Sequence, residues 1–272
     1  MLKDITLGQY YPAKSVVHKL DPRVKLVATI LFIISLFAFR SISSYLAATL
    51  FLGGVIKLSR VPLKFIVRGL KTIFILMLFT VAFNLFLTKG TPVLTIWKLT
   101  ITLEGIRAAA FMAIRLIYLI IGSSVMTLTT TPNDLTDGME KGLGFLRKVH
   151  VPVHEIAMIM SIALRFIPIL MEETDKIMKA QMARGADFES GNILQKAKNM
   201  VPLLVPLFIS AFRRANDLAM AMEARGYHGS EGRTKMRPLE YKRRDYLAYL
   251  ILAAYLAVMF LASRYVKIEN LF

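Results

Sequence analysis

Long apolar runs separated by short polar breaks dominate the first half of the chain and return near its end. Nearly uninterrupted apolar stretches cover about 24–39, 45–56, 72–87, 104–128 and 246–263. A helix needs roughly 20 apolar residues to cross a bilayer, so the two shortest runs must recruit residues from their flanks. The pattern therefore predicts five transmembrane helices.

The region between the fourth and fifth runs, residues 132–245, has a different pattern. It carries most of the acidic residues, and prolines interrupt its apolar runs. Apolar residues recur at helical spacing, which predicts amphipathic helices over about 133–148, 154–184 and 194–225. Pro168 and Pro206 lie inside the last two helices and can kink them. The loop over 88–103 is predicted to have no regular structure.

These patterns predict an all-α fold, a polytopic membrane protein with about five transmembrane helices plus long amphipathic helices outside the bilayer. Residues 1–131 form a polar lead-in and the first four spans. Residues 132–245 form a cytoplasmic helical region, and residues 246–272 form the last span and its tail. The fourth span carries Arg107 and Arg115, eight positions apart. Charges inside a span are costly unless they face protein or water, so this face is expected to pack inward.

Composition and charge support a membrane protein and disfavour other classes. The chain is 56% hydrophobic, above the roughly 45–50% of soluble domains, while 35 Lys and Arg against 18 Asp and Glu give a net charge of +17. No basic stripe with interleaved aromatic residues lies outside the loops beside apolar runs, so nucleic acid is not the expected partner. No cysteine is present, which excludes disulfides and thiolate metal sites. The polar stretch 1–21 does not resemble a cleaved signal peptide.

The distribution of basic residues predicts the orientation. The lead-in to residue 25 and the stretch 57–71 each carry five Lys or Arg, whereas the opposite-side segments together carry five. Positive charge accumulates on the cytoplasmic side of membrane proteins. The N-terminus and residues 132–245 are therefore predicted to lie in the cytoplasm, and the C-terminus outside.

Two similar segments end the two longest amphipathic helices. They are Met182-Ala183-Arg184-Gly185 and Glu223-Ala224-Arg225-Gly226, and their arginines lie 41 positions apart (225 − 184). Either segment alone is explained as a helix C-terminus, where Gly adopts positive φ and Arg complements the helix dipole. Their repetition at matching ends favours a functional pair, two arginine tips for two similar binding sites. The same offset places Glu172-Glu173 on Arg213-Arg214, and we hypothesise that these charges pair between the two helices.

Enzyme and carrier alternatives each rest on little. Asp134 and Asp137 match the opening of the Asp-x-x-Asp-Gly pattern of membrane CDP-alcohol phosphotransferases, but the rest of that pattern is absent, and a helix N-cap by Asn133 or Asp134 accounts for them. His150 and His154 flank a proline and favour a surface turn over a zinc site. The chain has no phosphate-binding loop, so another subunit would have to bind any ATP. A stand-alone secondary carrier remains an alternative, although no acid for ion coupling lies within a span.

Three motifs together resemble one family. Leu20-Asp21-Pro22-Arg23-Val24-Lys25-Leu26, Leu164-Arg165-Phe166-Ile167-Pro168 and the two Ala-Arg-Gly ends are similar, in this order, to the transmembrane T component of energy-coupling factor (ECF) transporters. The opening Ile5-Thr6-Leu7-Gly8-Gln9-Tyr10 is similar to the version shared among several substrate-binding subunits. The resemblance covers nearly the whole chain.

The resemblance implies a non-enzymatic subunit of a larger complex in the cytoplasmic membrane of a prokaryote. A T component joins two ABC-type ATPases, which bind the ATP, to a membrane-embedded S component that captures a vitamin or metal ion. More than one kind of S component would bind interchangeably. By position, Ala183, Arg184, Gly185, Ala224, Arg225 and Gly226 would contact the ATPases. Asp21, Pro22, Arg23, Arg165 and Pro168 would be structural signature residues. No cofactor or metal is expected in this chain.

Overall fold

A computed structural model describes residues 10–39, 41–96, 99–188, 192–229, 236 and 238–265. The opening motif, from Ile5 to Gln9, lies outside the described residues. Contacts divide the chain into two compact units with a boundary at Gly138 and Met139. We call the helices up to Gly138 and from Leu239 onward the bundle unit, and residues Met139–Pro238 the α6–α8 unit.

The described residues form nine α-helices and one small β-hairpin. In chain order these are α1 (Pro22–Ala38), α2 (Ile42–Ser59), α3 (Leu63–Leu87), β1 (Pro92–Ile96), β2 (Leu99–Thr102), α4 (Leu103–Thr129), α5 (Pro132–Gly142), α6 (Val153–Ala183), α7 (Ile193–Asn199), α8 (Val201–Ala224) and α9 (Arg243–Tyr265). A 3-10 helix, Gly144–Val149, lies between α5 and α6. The predicted all-α polytopic fold is confirmed.

Several predicted boundaries were wrong. The segment 88–103 is not an irregular loop, because β1 and β2 pair in antiparallel register within it. The helix predicted over 133–148 ends at Gly142 and is followed by the 3-10 helix. The helix predicted over 194–225 is divided into α7 and α8 at Asn199 and Met200. Pro168 and Pro206, in contrast, each lie within one continuous helix.

Four described helices, α2, α4, α6 and α9, are long and apolar enough to cross a membrane. A fifth, α3, qualifies if its two segments, which meet at 59°, form one span. The upper number of five spans agrees with the prediction, but these five helices are not all the ones that were predicted to cross the membrane. α6 qualifies by length and composition although it was predicted to lie outside the bilayer. α1 has only 17 residues, or about 25 Å of helix, which is less than the roughly 30 Å hydrocarbon core.

The larger of two buried clusters in the bundle unit is built by α1, α2 and α9. Phe32, Tyr45, Leu52, Tyr255 and Met259 are among its buried residues. The rings of Phe51 and Tyr255 stack at 4.3 Å between centroids, and the Tyr255 hydroxyl hydrogen-bonds to that of Ser35 at 2.9 Å. A buried tyrosine needs such a partner for its hydroxyl group. Aromatic packing therefore joins the first two helices to the last.

The two arginines of α4 have different environments. Arg115 is half-buried, donates from Nε to the Tyr45 hydroxyl at 3.0 Å and lies 5.3 Å from the Phe37 ring. Arg107 is exposed. The expected inward face is therefore correct for Arg115 and wrong for Arg107, which is exposed although Gly105 and Ala109 on either side of it are buried.

Gly138, near the end of α5, permits a close approach to the start of α1. A Cβ placed there would lie 2.8 Å from the Pro22 Cβ and 3.3 Å from the Pro22 carbonyl carbon. Backbone atoms cannot move aside as a flexible side chain can, so a methyl group at this position must separate the two helices. The glycine therefore fixes how α5 meets α1.

We expect Gly138→Ala to lower the free energy of unfolding of the purified chain by about 1–3 kcal/mol, the usual cost of overpacking. Gly142→Ala is the matched control on the same helix, because a Cβ there meets nothing within 4 Å. Unfolding is followed by circular dichroism in detergent with increasing denaturant. Equal stability of the two variants would contradict the close packing.

Candidate functional site

The C-terminus of α6 is closed by two backbone hydrogen bonds. The Gly185 N–H donates to the Met182 carbonyl at 2.9 Å, and the Ala186 N–H donates to the Gln181 carbonyl at 3.0 Å. Gly185 has a φ of 90°, a conformation that glycine adopts at little cost. This bonding pattern is a Schellman motif, which stops the helix immediately after Arg184.

The C-terminus of α8 repeats this geometry bond for bond. The Gly226 N–H donates to the Glu223 carbonyl at 2.9 Å, and the Tyr227 N–H donates to the Met222 carbonyl at 3.0 Å. Gly226 has a φ of 70°. Each atom pair corresponds to its counterpart in α6 when the sequence is shifted by 41 positions (226 − 185). The similarity seen in the sequence is therefore also a similarity of backbone structure.

Both arginines stand at the C-cap position with nearly the same backbone angles. Arg184 has φ −89° and ψ 6°, and Arg225 has φ −91° and ψ 9°. Both side chains are exposed, as are Ala183 and Ala224 beside them. Within the described parts of the chain, neither guanidinium group takes part in a hydrogen bond or ion pair. The caps use only backbone groups, so the guanidinium groups are available to bind another molecule.

α6 and α8 pack against each other within the α6–α8 unit. Arg214 Nη2 donates to Glu173 Oε2 at 3.3 Å, and the two residues are 41 positions apart (214 − 173). The hypothesis that opposite charges pair between these helices is confirmed for this pair. Nearer the tip of α6, Gln181 Nε2 donates to the Pro202 carbonyl at 3.3 Å. Because both partners of the ion pair are partly exposed, it contributes little stability.

The α6–α8 unit exposes large apolar side chains. Those of α8 recur at a spacing of three to four positions and include Leu204, Val205, Phe208, Ile209 and Phe212, each more than half exposed. The rings of Phe208 and Phe212 pack on each other, 4.9 Å apart. An apolar patch of this kind marks a protein or lipid contact. This face of α8 is thus a second candidate binding surface.

The signature residues before and within α1 form a local network. The Asp21 carboxylate caps α1 by accepting from the Arg23 N–H at 2.9 Å, and it also pairs with the Arg23 guanidinium at 2.9 Å. That guanidinium lies 3.9 Å from the centre of the Tyr241 ring. Pro22 occupies the first turn of the helix, where its missing N–H costs nothing. Arg165 and Pro168 are both exposed on α6, and nothing in the described contacts assigns them a role.

Asp245, which the sequence reading overlooked, connects this network to the last helix. Its side chain is 1% exposed. One carboxylate oxygen accepts from the Asp21 N–H and the other from the Lys242 N–H, both at 2.8 Å. The signal available in the sequence was an acid in the first turn of α9, which is also an ordinary feature of helix starts.

Lys25 and His18 make the hydrogen bonds that hold the lead-in at the start of α1. Lys25 Nζ donates to the carbonyls of His18 at 3.2 Å and Thr129 at 2.7 Å. Burial is the main cause that lowers the pKa of the His18 imidazole from its usual value, and the charge of Lys25 lowers it further. The hydrogen bond to the Tyr11 carbonyl raises this pKa and only partly offsets the two. His18 is therefore neutral at pH 7, and its ring bridges the Ser15 hydroxyl and that carbonyl.

The residues considered for metal chemistry do not converge. In the described ranges, no group of three or more His, Cys, Asp or Glu side chains is placed to hold a metal ion. The helix containing Asp134 and Asp137 is capped by Thr131, whose hydroxyl accepts from the Asp134 N–H at 3.1 Å. The predicted cap by Asn133 or Asp134 was therefore wrong by two or three positions. His154 Nδ1 hydrogen-bonds to Glu140 at 2.8 Å, so this histidine belongs to a half-buried pair.

Several apolar helices of membrane length define a polytopic membrane protein. The family model described as CbiQ, cobalt transport protein, matches residues 13–236, and the chain belongs to this family.

Relatives of high identity carry the name energy-coupling factor transporter transmembrane protein EcfT. The chain is 57% identical to the one from Clostridium kluyveri over 92% of this chain and 93% of the relative. It is 52% identical to that of Thermosediminibacter oceani, over 97% and 100%, and 48% identical to that of Bacillus subtilis, over 96% and 98%. The resemblance to the transmembrane T component of ECF transporters is confirmed.

Proposed function

We propose that this chain couples two ABC-type ATPases to a membrane-embedded S component, so that ATP hydrolysis drives uptake of vitamins or other micronutrients. The observation that carries the proposal is the pair of matched tips, Arg184-Gly185 and Arg225-Gly226, which share both cap bonds and backbone angles. Two copies of one binding element are what two similar ATPase subunits require. The ATP is bound by those subunits, and this chain contributes no cofactor site.

The tips suit the transmission of force. A guanidinium group can make two parallel hydrogen bonds to a carboxylate or to paired carbonyl oxygens. Each arginine follows a long continuous helix, 31 residues in α6 and 24 in α8. A displacement applied at the tip is therefore carried along a rigid rod. The two rods pack against each other and are joined by the contact between Glu173 and Arg214.

The exposed apolar face of α8 supports the contact with the S component. It presents aliphatic and aromatic side chains rather than charged ones, a surface that accepts another apolar helix without specific polar pairing. Non-directional contacts of this kind tolerate different partners. We therefore propose that several S components bind this chain interchangeably and that they supply the substrate selectivity.

We place the chain in the cytoplasmic membrane of a prokaryote, with its N-terminus and the tips of α6 and α8 in the cytoplasm. The excess of basic residues in the lead-in to residue 25 and in the stretch 57–71 supports this orientation, since positive charge is retained on the cytoplasmic side. The ATPases and their ATP occupy the same compartment. The proposed role is non-enzymatic.

Reconstitution of the full-length chain in liposomes tests this function. With both ATPases, an S component and ATP inside the liposome, we expect accumulation of the labelled vitamin that the S component captures. Omitting any one subunit, or replacing ATP by a non-hydrolysable analogue, should abolish it. Exchanging the S component for another should change the substrate while this chain stays the same.

Two outcomes would overturn the proposal. Uptake by this chain alone, without ATPases, would identify a secondary carrier. A phosphotransfer activity of the isolated chain that needs a divalent metal ion and is lost in Asp134→Asn would identify an enzyme.

A further inference from the structure

An apolar cavity of about 200 Å³ lies within the bundle unit, partly open to its surroundings. Its walls come from α1, α2, α4 and α9, and the lead-in before α1 covers one end with Val16, Val17 and Leu20. Most other lining side chains are aliphatic or aromatic, among them Phe32, Phe51 and Ile251. The shape and lining suit a hydrocarbon chain.

One end of this cavity is cationic. Lys25, in the first turn of α1, and Arg244, the second residue of α9, are the charged residues among the described side chains that line it. The start of α1 and the start of α9 lie side by side, because Asp21 and Asp245 are hydrogen-bonded at 2.8 Å. The two cations therefore occupy the same end, at the level where both helices begin.

Three carboxylates, those of Asp134, Asp21 and Asp245, lie close enough to act on Lys25, and the last two are already occupied. Asp21 is held by Arg23, and Asp245 accepts from two backbone N–H groups. Lys25 Nζ donates to carbonyl oxygens. The Arg244 Nε atom is buried and has no hydrogen-bond partner among the described residues. A buried guanidinium N–H without an acceptor is costly, and this cost is removed if an anionic oxygen binds there.

We propose that the cavity binds one anionic phospholipid, with an acyl chain among the apolar side chains and the phosphate group on Arg244. A phosphate has the acceptor geometry that a guanidinium prefers. Basic pockets between membrane helices are known places for the head groups of anionic lipids. The bound lipid would fill the space between the first and last helices of the bundle. This inference is independent of the proposed coupling role.

The test measures lipid retained by the full-length chain. The chain is stripped of lipid by detergent exchange and then incubated with equal amounts of phosphatidylglycerol and phosphatidylcholine carrying identical acyl chains. Native mass spectrometry counts the lipids that remain bound. We expect about one phosphatidylglycerol per chain, retained on the order of tenfold better than phosphatidylcholine, which is the effect of one charge-assisted contact.

Two matched pairs of variants locate the site. Arg244→Met should lower phosphatidylglycerol retention on the order of tenfold, whereas Arg243→Met, the exposed neighbour, should not. Ala248→Leu fills the cavity and should reduce retention of both lipids. Ala254→Leu adds the same bulk on an exposed part of α9 and should have no effect.

Three results would each overturn the inference. The first is that the wild-type chain retains the two lipids equally. The second is that the Arg243 and Arg244 variants lose phosphatidylglycerol equally, and the third is that Ala248→Leu leaves lipid retention unchanged. The first comparison uses no variant, so it holds even if an Arg244 variant does not fold.

Discussion

Reversing both tip arginines, Arg184→Glu with Arg225→Glu, is expected to release both ATPases from the chain during purification. Each guanidinium is exposed, and the proposed function places its partner on an ATPase. Reversing a charge in a buried interface costs on the order of 2–5 kcal/mol, or roughly 30-fold to several thousand-fold in affinity. Each single variant should therefore retain the complex weakly, and the double variant should lose it. Co-purification on an affinity tag carried by this chain, followed by quantification of the ATPases, measures the result.

The controls separate an interface role from a structural one. Arg184→Lys and Arg225→Lys keep the charge but lose the paired donor geometry, so an intermediate loss of ATPase indicates bidentate contacts. Lys176→Glu makes the same charge change at an exposed position of α6 and should leave the complex intact. Circular dichroism must show unchanged helix content in every variant, since the caps depend only on backbone groups. If the double variant still holds both ATPases, the arginines serve only as helix ends.

The tips could be predicted from sequence because they rest on local rules. A helix end with a glycine at positive φ can be recognised from a few neighbouring residues. The offset of 41 positions (225 − 184) between the two ends shows the repetition without any tertiary information. The pairing of Glu173 with Arg214 followed from the same offset and is present at 3.3 Å. Local signals and an internal repeat were sufficient for the candidate site.

The contacts that hold the bundle unit could not be predicted in this way. Asp245 reaches the Asp21 N–H across 224 positions of sequence (245 − 21), and no periodicity connects the two. The β-hairpin at 92–102 was also missed, because strands of 5 and 4 residues are too short for their periodicity to identify the pairing. The prediction that α6 lies outside the bilayer followed from its acids, Glu172, Glu173 and Asp175. They occupy only its second half, and the first half is apolar enough for a membrane.

Removing the buried carboxylate in Asp245→Ala is expected to destabilise the bundle unit strongly. Asp245 satisfies two backbone N–H groups, on Asp21 and Lys242, and an unsatisfied buried donor costs about 1–3 kcal/mol. The expected loss in free energy of unfolding is therefore about 2–6 kcal/mol, the sum for two donors. Asp245→Asn keeps one acceptor oxygen and turns an amide N–H toward the other donor, so about half of this loss is expected. Denaturant titration of the full-length chain in detergent, followed by circular dichroism, gives both values.

Glu240→Ala is the matched control, because it removes an exposed acid five positions earlier (245 − 240) and should change stability by less than about 0.5 kcal/mol. The consequence for α1 is specific, since Asp21 caps this helix and holds Arg23 against Tyr241. Hydrogen exchange at the first turn of α1 should therefore accelerate in Asp245→Ala and not in Glu240→Ala. Exchange that stays equally slow in both variants would mean that the Asp21 cap is independent of Asp245, and that the last helix does not anchor the first.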